Sequence, residues 1–135
     1  GVENTPYIFV SEQNAKTEKL VLDFQKLHGD LVIKASNQGS SVGCYMVPAG
    51  ESPLKAIQDA FTLSPFVLID KRMKPRELEV SVYEYEGKLQ VSYPGEIVTP
   101  TSTFYTYDEK YSSDSQSKTF VKAENVSATE VQTIT

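Results

Sequence analysis

The sequence of 135 residues is 39% hydrophobic and 23% charged, with a formal net charge of −5 at pH 7. Its single cysteine, Cys44, and its single histidine, His28, exclude a disulfide framework and a zinc site made from cysteines or several histidines of one chain. No apolar run approaches the roughly 18 residues that span a membrane and no signal peptide opens the chain, so we expect a cytosolic globular protein.

The first half of the chain is predicted to alternate strands with helices. The run PYIFV (6–10) is typical of a strand, Asn14 is a candidate N-cap for a helix, and Gly29 is a candidate stop signal. His28, at the end of that helix, is interpreted as structural rather than catalytic, because a partly charged imidazole suits a helix C-terminus. The apolar residues of this helix at helical spacing are Leu20, Val21, Phe24 and Leu27.

Two strands, DLVIKA (30–35) and GCYMVPAG (43–50), come next, followed by a second helix with Ser52 as N-cap and Pro53 as its first residue. The apolar face of the second helix is predicted to contain Leu54, Ile57 and Phe61. A buried strand, PFVLID (65–70), follows it. The order β-α-β-β-α-β predicts two helices on one side of a small antiparallel sheet, which is an α+β fold.

The second half is predicted to begin with a β hairpin that turns at Glu86 and Gly87. Residues 99–118 carry several aromatic side chains among turn formers, and a loop of that length is either a linker or a cover for a ligand. A third helix is expected near Ser127, with Glu130 completing a capping box.

The stretch LVIKASNQGSSVG (31–43) places Lys34 in an apolar run and follows it with small and polar residues. Glycine and serine let a backbone approach a ligand closely, and successive N–H groups bind anions. The stretch is not a P-loop, because Cys44 stands where that motif requires lysine after the second glycine. A phosphate-binding loop and a plain strand–turn–strand both fit these residues.

Charge is distributed unevenly along the chain. Residues 1–76 hold nine basic and eight acidic side chains, whereas residues 77–135 hold four and ten. Four basic residues lie in DKRMKPRE (70–77), which is either a solvated turn or a contact for a small anion. An acidic chain with one basic cluster argues against nucleic-acid binding, which needs a broad basic surface.

Four segments together resemble the D-alanine–D-alanine ligases of the ATP-grasp superfamily. The segments are LVIKASNQGSSVG (31–43), FVLIDKRMKPRELEVSV (66–82), PGEIVTPTSTFYTYDEKYSSD (94–114) and KAENVS (122–127). The resemblance implies an ATP-grasp central subdomain over residues 1–77. It implies part of the C-terminal ATP-grasp subdomain over residues 78–135, with the aromatic segment 99–118 as a cover. The start GVENTP lacks an initiator methionine, so we expect a central piece of a longer enzyme.

The resemblance also implies an activity, in which ATP activates one D-alanine as an acyl phosphate and a second D-alanine displaces the phosphate. The dipeptide serves peptidoglycan synthesis. The implied ligands are ATP, D-alanine and magnesium, with the magnesium ligands outside this chain. The implied assembly is a cytoplasmic homodimer that binds neither nucleic acid nor membrane.

Site roles follow from the resemblance position by position. Lys34, Ser41 and Lys110 would contact the phosphates of ATP, while Ser40 and Tyr111 would act at the D-alanine site. The adenosine contacts implied by the resemblance come from Lys71, Arg72, Met73 and Glu77.

The chain departs from the family pattern at several positions of these motifs. Alanine stands at position 35 where the family usually has proline, and Asn37 and Gln38 stand where Arg-Glu is common. Asp70 replaces a common glutamate, whose side chain is one methylene longer. The remaining departures are Pro75 and Lys122.

Two other functions remain open from the sequence. One is a related ligase that takes D-lactate or D-serine as the second substrate. The other is an anion-binding module without catalysis.

Overall fold

A computed structural model of the protein describes residues 3–14, 16–99, 111 and 115–134. Contacts divide the chain into two compact units, residues 1–74 and residues 75–135. The assignment of ATP-grasp subdomains to residues 1–77 and 78–135 stays a prediction. Among the described residues, no helix has the length and apolar character needed to cross a membrane.

The first unit contains a four-stranded antiparallel sheet with the strand order β1-β4-β2-β3. Its strands are β1 (Tyr7–Ser11), β2 (Leu31–Ala35), β3 (Cys44–Val47) and β4 (Phe66–Lys71). Alternate side chains of a strand point to opposite faces of a sheet, so each strand contributes one set of residues to each face. The pairs Val10–Val67 and Ile33–Ile69 lie on one face and are buried.

Two helices cover that buried face, α1 (Thr17–His28) and α2 (Leu54–Phe61). Val21 and Phe24 of α1 and Ile57 and Ala60 of α2 belong to the same core cluster as the buried sheet residues. The predicted apolar face of α2 is confirmed, since Leu54 and Phe61 also pack against this core.

The prediction of the buried residues of α1 is only half right. Leu20 is 42% exposed and Leu27 is 76% exposed, whereas Thr17 is buried one turn before Val21. The hydroxyl of Thr17 donates to the carbonyl oxygen of Ser11 at 2.9 Å, so its burial leaves no lost hydrogen bond. The face that α1 buries therefore runs through a threonine that hydrophobicity alone does not select.

Both predicted N-caps are displaced from the helix starts. Asn14 accepts a hydrogen bond from the Lys16 N–H at 3.0 Å in a turn ahead of α1, and Lys16 occupies the cap position. Pro53 occupies the cap position of α2, while Ser52 Oγ accepts from the Leu54 N–H at 3.5 Å. Asparagine and serine side chains form such local turns as readily as caps, which explains the displacement.

The opposite face of the sheet is called here the open face. Among the described residues, it contributes no side chain to the core cluster that contains the helix residues. Tyr7 and Phe9 of β1 and Phe66 of β4 are exposed, and the rings of Phe9 and Phe66 stack at a centroid distance of 5.5 Å. Lys34 and Asp70 belong to this face as well, because they alternate with the buried residues Ile33 and Ile69.

The second unit contains a three-stranded antiparallel sheet, a separate hairpin and a short helix. The sheet has the order β5-β8-β9. The elements are β5 (Glu77–Glu79), β6 (Val82–Tyr85), β7 (Lys88–Val91), β8 (Gly95–Val98), β9 (Lys118–Phe120) and α3 (Ala128–Ile134). Strand β9 was not predicted from the sequence, and most of the predicted cover 99–118 lies outside the described residues.

The predicted hairpin turn and capping box are both confirmed. Glu86 and Gly87 join β6 to β7 with φ angles of 50° and 73°, as a two-residue turn between twisted strands requires. At α3, the N–H of Ser127 donates to Glu130 Oε2 at 2.8 Å, and the N–H of Glu130 donates to Ser127 Oγ at 3.2 Å. The strands and helices of the two units give the α+β class that the sequence predicts.

Candidate functional site

Lys34 and Asp70 form an ion pair on the open face, across neighbouring strands. The register sets Lys34 opposite Leu68 and Asp70 opposite Val32, so the paired side chains are diagonal neighbours, within reach of a lysine. The Lys34 side chain is 36% exposed and that of Asp70 is 13% exposed. An ammonium has three N–H donors, and the bond to Asp70 uses one, so the pair orients the cation without occupying all of its donors.

The loop that follows Lys34 is closed by short-range backbone hydrogen bonds. The N–H of Ala35 donates to the carbonyl oxygen of Gly43 at 3.0 Å, and the N–H of Val42 donates to that of Gly39 at 3.0 Å. Loop residues 36–43 thus begin and end beside each other, directly next to Lys34. Ser40 and Ser41, predicted from the sequence as site residues, lie at the centre of this loop.

Three residues of the loop adopt a left-handed backbone. The φ angles are 52° at Ser40, 64° at Ser41 and 69° at Gly43. For a residue other than glycine this conformation costs about 1–2 kcal/mol. Because backbone strain of this kind clusters at binding and catalytic sites, the two adjacent serines make this loop a candidate site.

Gly43 meets a second constraint from its surroundings. A Cβ atom at this position would lie 2.8 Å from Ala35 Cβ and 2.8 Å from Leu63 Cδ1. The glycine therefore allows the end of the loop to pack against the last residue of β2 and the segment after α2.

The start of the loop is anchored to the turn before β4. Ser36 Oγ lies 3.2 Å from the buried Ser64 Oγ and donates to the carbonyl oxygen of Phe66 at 3.0 Å. Gln38 Nε2 donates to the carbonyl oxygen of Leu63 at 3.2 Å. Gln38, one of the departures from the family pattern, thus helps to hold the loop to the turn before β4.

Residues 71–73 leave the end of β4 with two of their N–H groups already bonded. The N–H of Lys71 donates to the carbonyl oxygen of Pro6 at 3.0 Å, and that of Arg72 donates to the carbonyl oxygen of Asp30 at 2.8 Å. The guanidinium of Arg72 lies 3.8 Å from Asp30 Oδ2. Met73 follows with half of its surface exposed. The first two N–H groups therefore stabilise the sheet.

The remaining predicted site residues belong to the second unit. Glu77 is the first residue of β5, pairs with Ile97 of β8 and is half-buried. Tyr111 is 63% exposed. Lys110 lies outside the described residues. The structure thus brings Lys34 and the serine loop together in the first unit, with residues 71–73 at the far end of β4.

A charged cluster in the second unit was missed by the sequence analysis. Arg76 Nε donates to Glu96 Oε1 at 2.8 Å, and Arg76 Nη2 donates to Glu96 Oε2 at 2.7 Å. This bidentate contact raises the pKa of Arg76 and lowers the pKa of Glu96. The hydrogen bonds from Ser127 lower the pKa of Glu130, to which the charge of Arg76 also contributes. No sequence signal identified the partner of Arg76, because Glu96 is remote in the chain.

A pocket of the first unit lies apart from the open face. The pocket, of about 390 Å³, has Leu54, Ile57 and Phe61 among its lining residues, with Glu12 and Glu18 beside them, so it lies at the helices rather than at Lys34. Within the described ranges, no group of three or more His, Cys, Asp or Glu side chains is placed to hold a metal ion.

The family model for the C-terminal part of D-Ala–D-Ala ligases matches residues 1–135. The chain belongs to the D-alanine–D-alanine ligase C-terminal family. The resemblance predicted from the sequence is therefore confirmed, and with it the α+β fold of ATP-grasp type.

Curated relatives of this family member carry the name D-alanine–D-alanine ligase. The protein from Aliivibrio fischeri is 48% identical over 99% of this chain, which corresponds to 41% of the relative. One from Vibrio vulnificus is 48% identical over 99% of this chain and 40% of its own length. The chain thus spans about two fifths of the length of the curated relatives it matches.

Solved structures show the same fold. D-alanyl-alanine synthetase A from Vibrio cholerae matches with a TM-score of 0.84 and 43% identity, covering 97% of this chain and 39% of that one. The VanG D-Ala:D-Ser ligase from Enterococcus faecalis matches with a TM-score of 0.72 and 26% identity, covering 96% and 36%.

Proposed function

We propose that the chain supplies part of the nucleotide site of an ATP-dependent ligase that joins two D-alanines. The supporting observation is the arrangement of Lys34, a cation fixed by Asp70 on the open face, beside a strained loop of two serines and Gly43. Family membership adds the reaction class, because its curated relatives carry the ligase name. The product would be the dipeptide of peptidoglycan precursors.

The proposed reaction has two steps that develop negative charge on oxygen. A carboxylate oxygen of the first D-alanine attacks the γ-phosphorus of ATP, and ADP leaves. The amine of the second D-alanine then attacks the acyl carbon, phosphate leaves, and the amine loses its proton. Fixed cations and N–H donors lower the energy of such transition states, since they are in place before the charge develops.

In this proposal Lys34 contacts the α- and β-phosphates while Asp70 holds its side chain in position. Ser41 and the backbone of the loop lie over the phosphates. Lys110 adds a further cation, while Ser40 and Tyr111 order the D-alanine site. An ammonium is a compact point charge with three donors, which suits a contact to several phosphate oxygens.

The adenosine contacts are proposed for residues 71–73 and Glu77. The N–H groups of Lys71 and Arg72 already donate to the carbonyl oxygens of Pro6 and Asp30. We therefore propose that the N–H of Met73 donates to the adenine edge. The Met73 side chain, half exposed, packs on the ring in this proposal. The carboxylate of Glu77 accepts from the ribose hydroxyls.

Magnesium is the metal that this family implies, and it would neutralise the phosphate charge during transfer. Hard carboxylate oxygens are its usual protein ligands. Among the described residues, no group of three or more acidic, histidine or cysteine side chains is placed to hold it. The proposed ligands lie in other segments of the enzyme.

We further propose a cytoplasmic homodimer for the complete enzyme, with D-alanine and ATP as its small-molecule partners. D-serine is a second candidate for the second substrate, because the chain is similar in structure to a D-Ala:D-Ser ligase at 26% identity. D-lactate remains the third.

A competition assay tests the proposed function. A full-length enzyme that contains this chain is given ATP, magnesium and D-alanine, together with D-serine or D-lactate, and phosphate release and dipeptide are measured. Preferential formation of D-alanyl-D-alanine is expected. Preferential use of D-serine or D-lactate would reassign the substrate, and the absence of ATP cleavage with all three would contradict the ligase proposal.

A further inference from the structure

Arg76 connects three separate segments of the second unit through one guanidinium group. Besides its two bonds to Glu96 on β8, Arg76 donates from Nη2 to the carbonyl oxygen of Glu124 at 2.7 Å and from Nη1 to that of Asn125 at 3.3 Å. The N–H donors of a guanidinium have fixed directions in one plane, so they can hold a carboxylate and neighbouring carbonyl groups in a defined geometry. The donors of an ammonium group lack this fixed planar arrangement. The hydrogen bonds of its side chain thus hold Arg76 in position.

The strand that begins beside Arg76 is short and needs such an anchor. Strand β5 has three residues and pairs with β8 through Glu77–Ile97, Leu78–Glu96 and Glu79–Gly95. Glu96 therefore pairs with Leu78 through its backbone and with Arg76 through its side chain. These two contacts fix the register of β5 on both sides of Glu77.

The charged groups around Arg76 favour this arrangement. The Glu96 side chain is 15% exposed and accepts both parallel bonds, and the carboxylate of Glu130, at the start of α3, adds to the attraction. Replacing Arg76 would leave the carboxylate of Glu96 partly buried without its bidentate partner, and that carboxylate would then turn toward water. The register of β5 would then rest on its backbone pairs with β8 alone.

We propose that Arg76 is a positioning residue that, through Glu96, sets the place of Glu77 against the ribose of the nucleotide. This inference rests on the proposed function, in which Glu77 accepts hydrogen bonds from the ribose hydroxyls. Arg76 itself makes no contact with the nucleotide in this account. Its effect is therefore on recognition of the sugar rather than on D-alanine.

The test compares ATP with 2′-deoxy-ATP and 3′-deoxy-ATP in a full-length ligase that contains this chain. For each variant, kcat/KM is measured for the three nucleotides and for D-alanine. Glu77→Gln is expected to remove most of the preference for ATP. Arg76→Lys and Glu96→Gln are expected to lower that preference about threefold or more, with KM for D-alanine unchanged, because hydrogen bonds to a charged group depend on geometry.

Lys55→Gln serves as the matched control. Lys55 pairs with Asp59 on α2, in the other unit, and its loss is expected to leave the preference for ATP unchanged. The conservative variants Arg76→Lys and Glu96→Gln keep the size of the side chains, and thermal unfolding of each variant verifies that it is folded.

Each outcome decides between the inference and the proposed function. If Glu77→Gln lowers the preference but Arg76→Lys and Glu96→Gln keep it, the positioning inference is overturned and the ribose role of Glu77 stands. If Arg76→Lys lowers kcat/KM equally for all nucleotides and for D-alanine, Arg76 has a general structural role and the inference is also overturned. If Glu77→Gln keeps the preference, or the wild type has none, both the ribose role and the inference are wrong.

Discussion

Lys34 of β2 and Asp70 of β4 form an ion pair on the sheet face opposite the two helices of the first unit. The pair holds a cation at the edge of a loop whose serines adopt left-handed backbone angles. A charge that is already fixed in position needs little reorganisation when an anionic ligand binds, which is the physical advantage of this arrangement.

Gly43→Ala is expected to destabilise the first unit. The new methyl group would clash with Ala35 and Leu63, and the alanine backbone would have to adopt a φ angle of 69°. The free energy of unfolding should therefore fall by about 2–4 kcal/mol. Urea unfolding of the two proteins measures the difference. Gly39→Ala is the control, because no atom lies within 4 Å of its added Cβ. A loss in Gly43→Ala no larger than that in Gly39→Ala would contradict the clash expected at position 43.

Glu86→Asn is expected to stabilise the hairpin of the second unit. Glu86 has a φ angle of 50° in a two-residue turn before Gly87, and Asn-Gly is a favoured pair for such turns. The gain in the free energy of unfolding should be about 0.5–1 kcal/mol. Glu84→Asn, inside β6, provides the comparison and should bring no gain, because asparagine is disfavoured in strands. A loss of stability in Glu86→Asn would contradict the turn geometry.

Glu96 is expected to titrate below its usual value of 4.5, because Arg76 donates to its charged form. A carboxyl group with a lowered folded pKa contributes stability above its unfolded pKa and loses it as the pH falls through the folded pKa. Stability should therefore decrease on acidification below about pH 4.5. Carbon-13 NMR of the Glu96 carboxyl measures the titration, and Arg76→Lys should raise this pKa. A Glu96 pKa at or above 4.5 in the wild type would show that the bidentate contact does not form in solution.

Much of the fold is predictable from local patterns. The four strands of the first sheet, the second helix, the Glu86–Gly87 turn and the Ser127 capping box follow from side-chain alternation, helical spacing and turn chemistry. The buried face of α1 does not, because its centre passes through Thr17, whose hydroxyl is satisfied by a carbonyl group that only the folded chain brings near.

The candidate site is predictable only in its parts. Lys34 and the serine loop are adjacent in sequence, so composition identifies them together. The pairing of Lys34 with Asp70 requires the register between β2 and β4, and that of Arg76 with Glu96 requires the register between β5 and β8. Such contacts between distant segments leave no local pattern in a single sequence.

The most direct test of the account is kcat/KM for ATP in a full-length ligase that contains this chain with Lys34→Ala. Loss of a charge-assisted contact to phosphate should cost about 2–3 kcal/mol, which lowers kcat/KM roughly 30- to 150-fold. Lys55→Ala, which removes an exposed ion pair with Asp59 on α2, should leave kcat/KM within about twofold of the wild type. A folded Lys34→Ala variant with wild-type kcat/KM for ATP would contradict the assignment of the open face to the nucleotide.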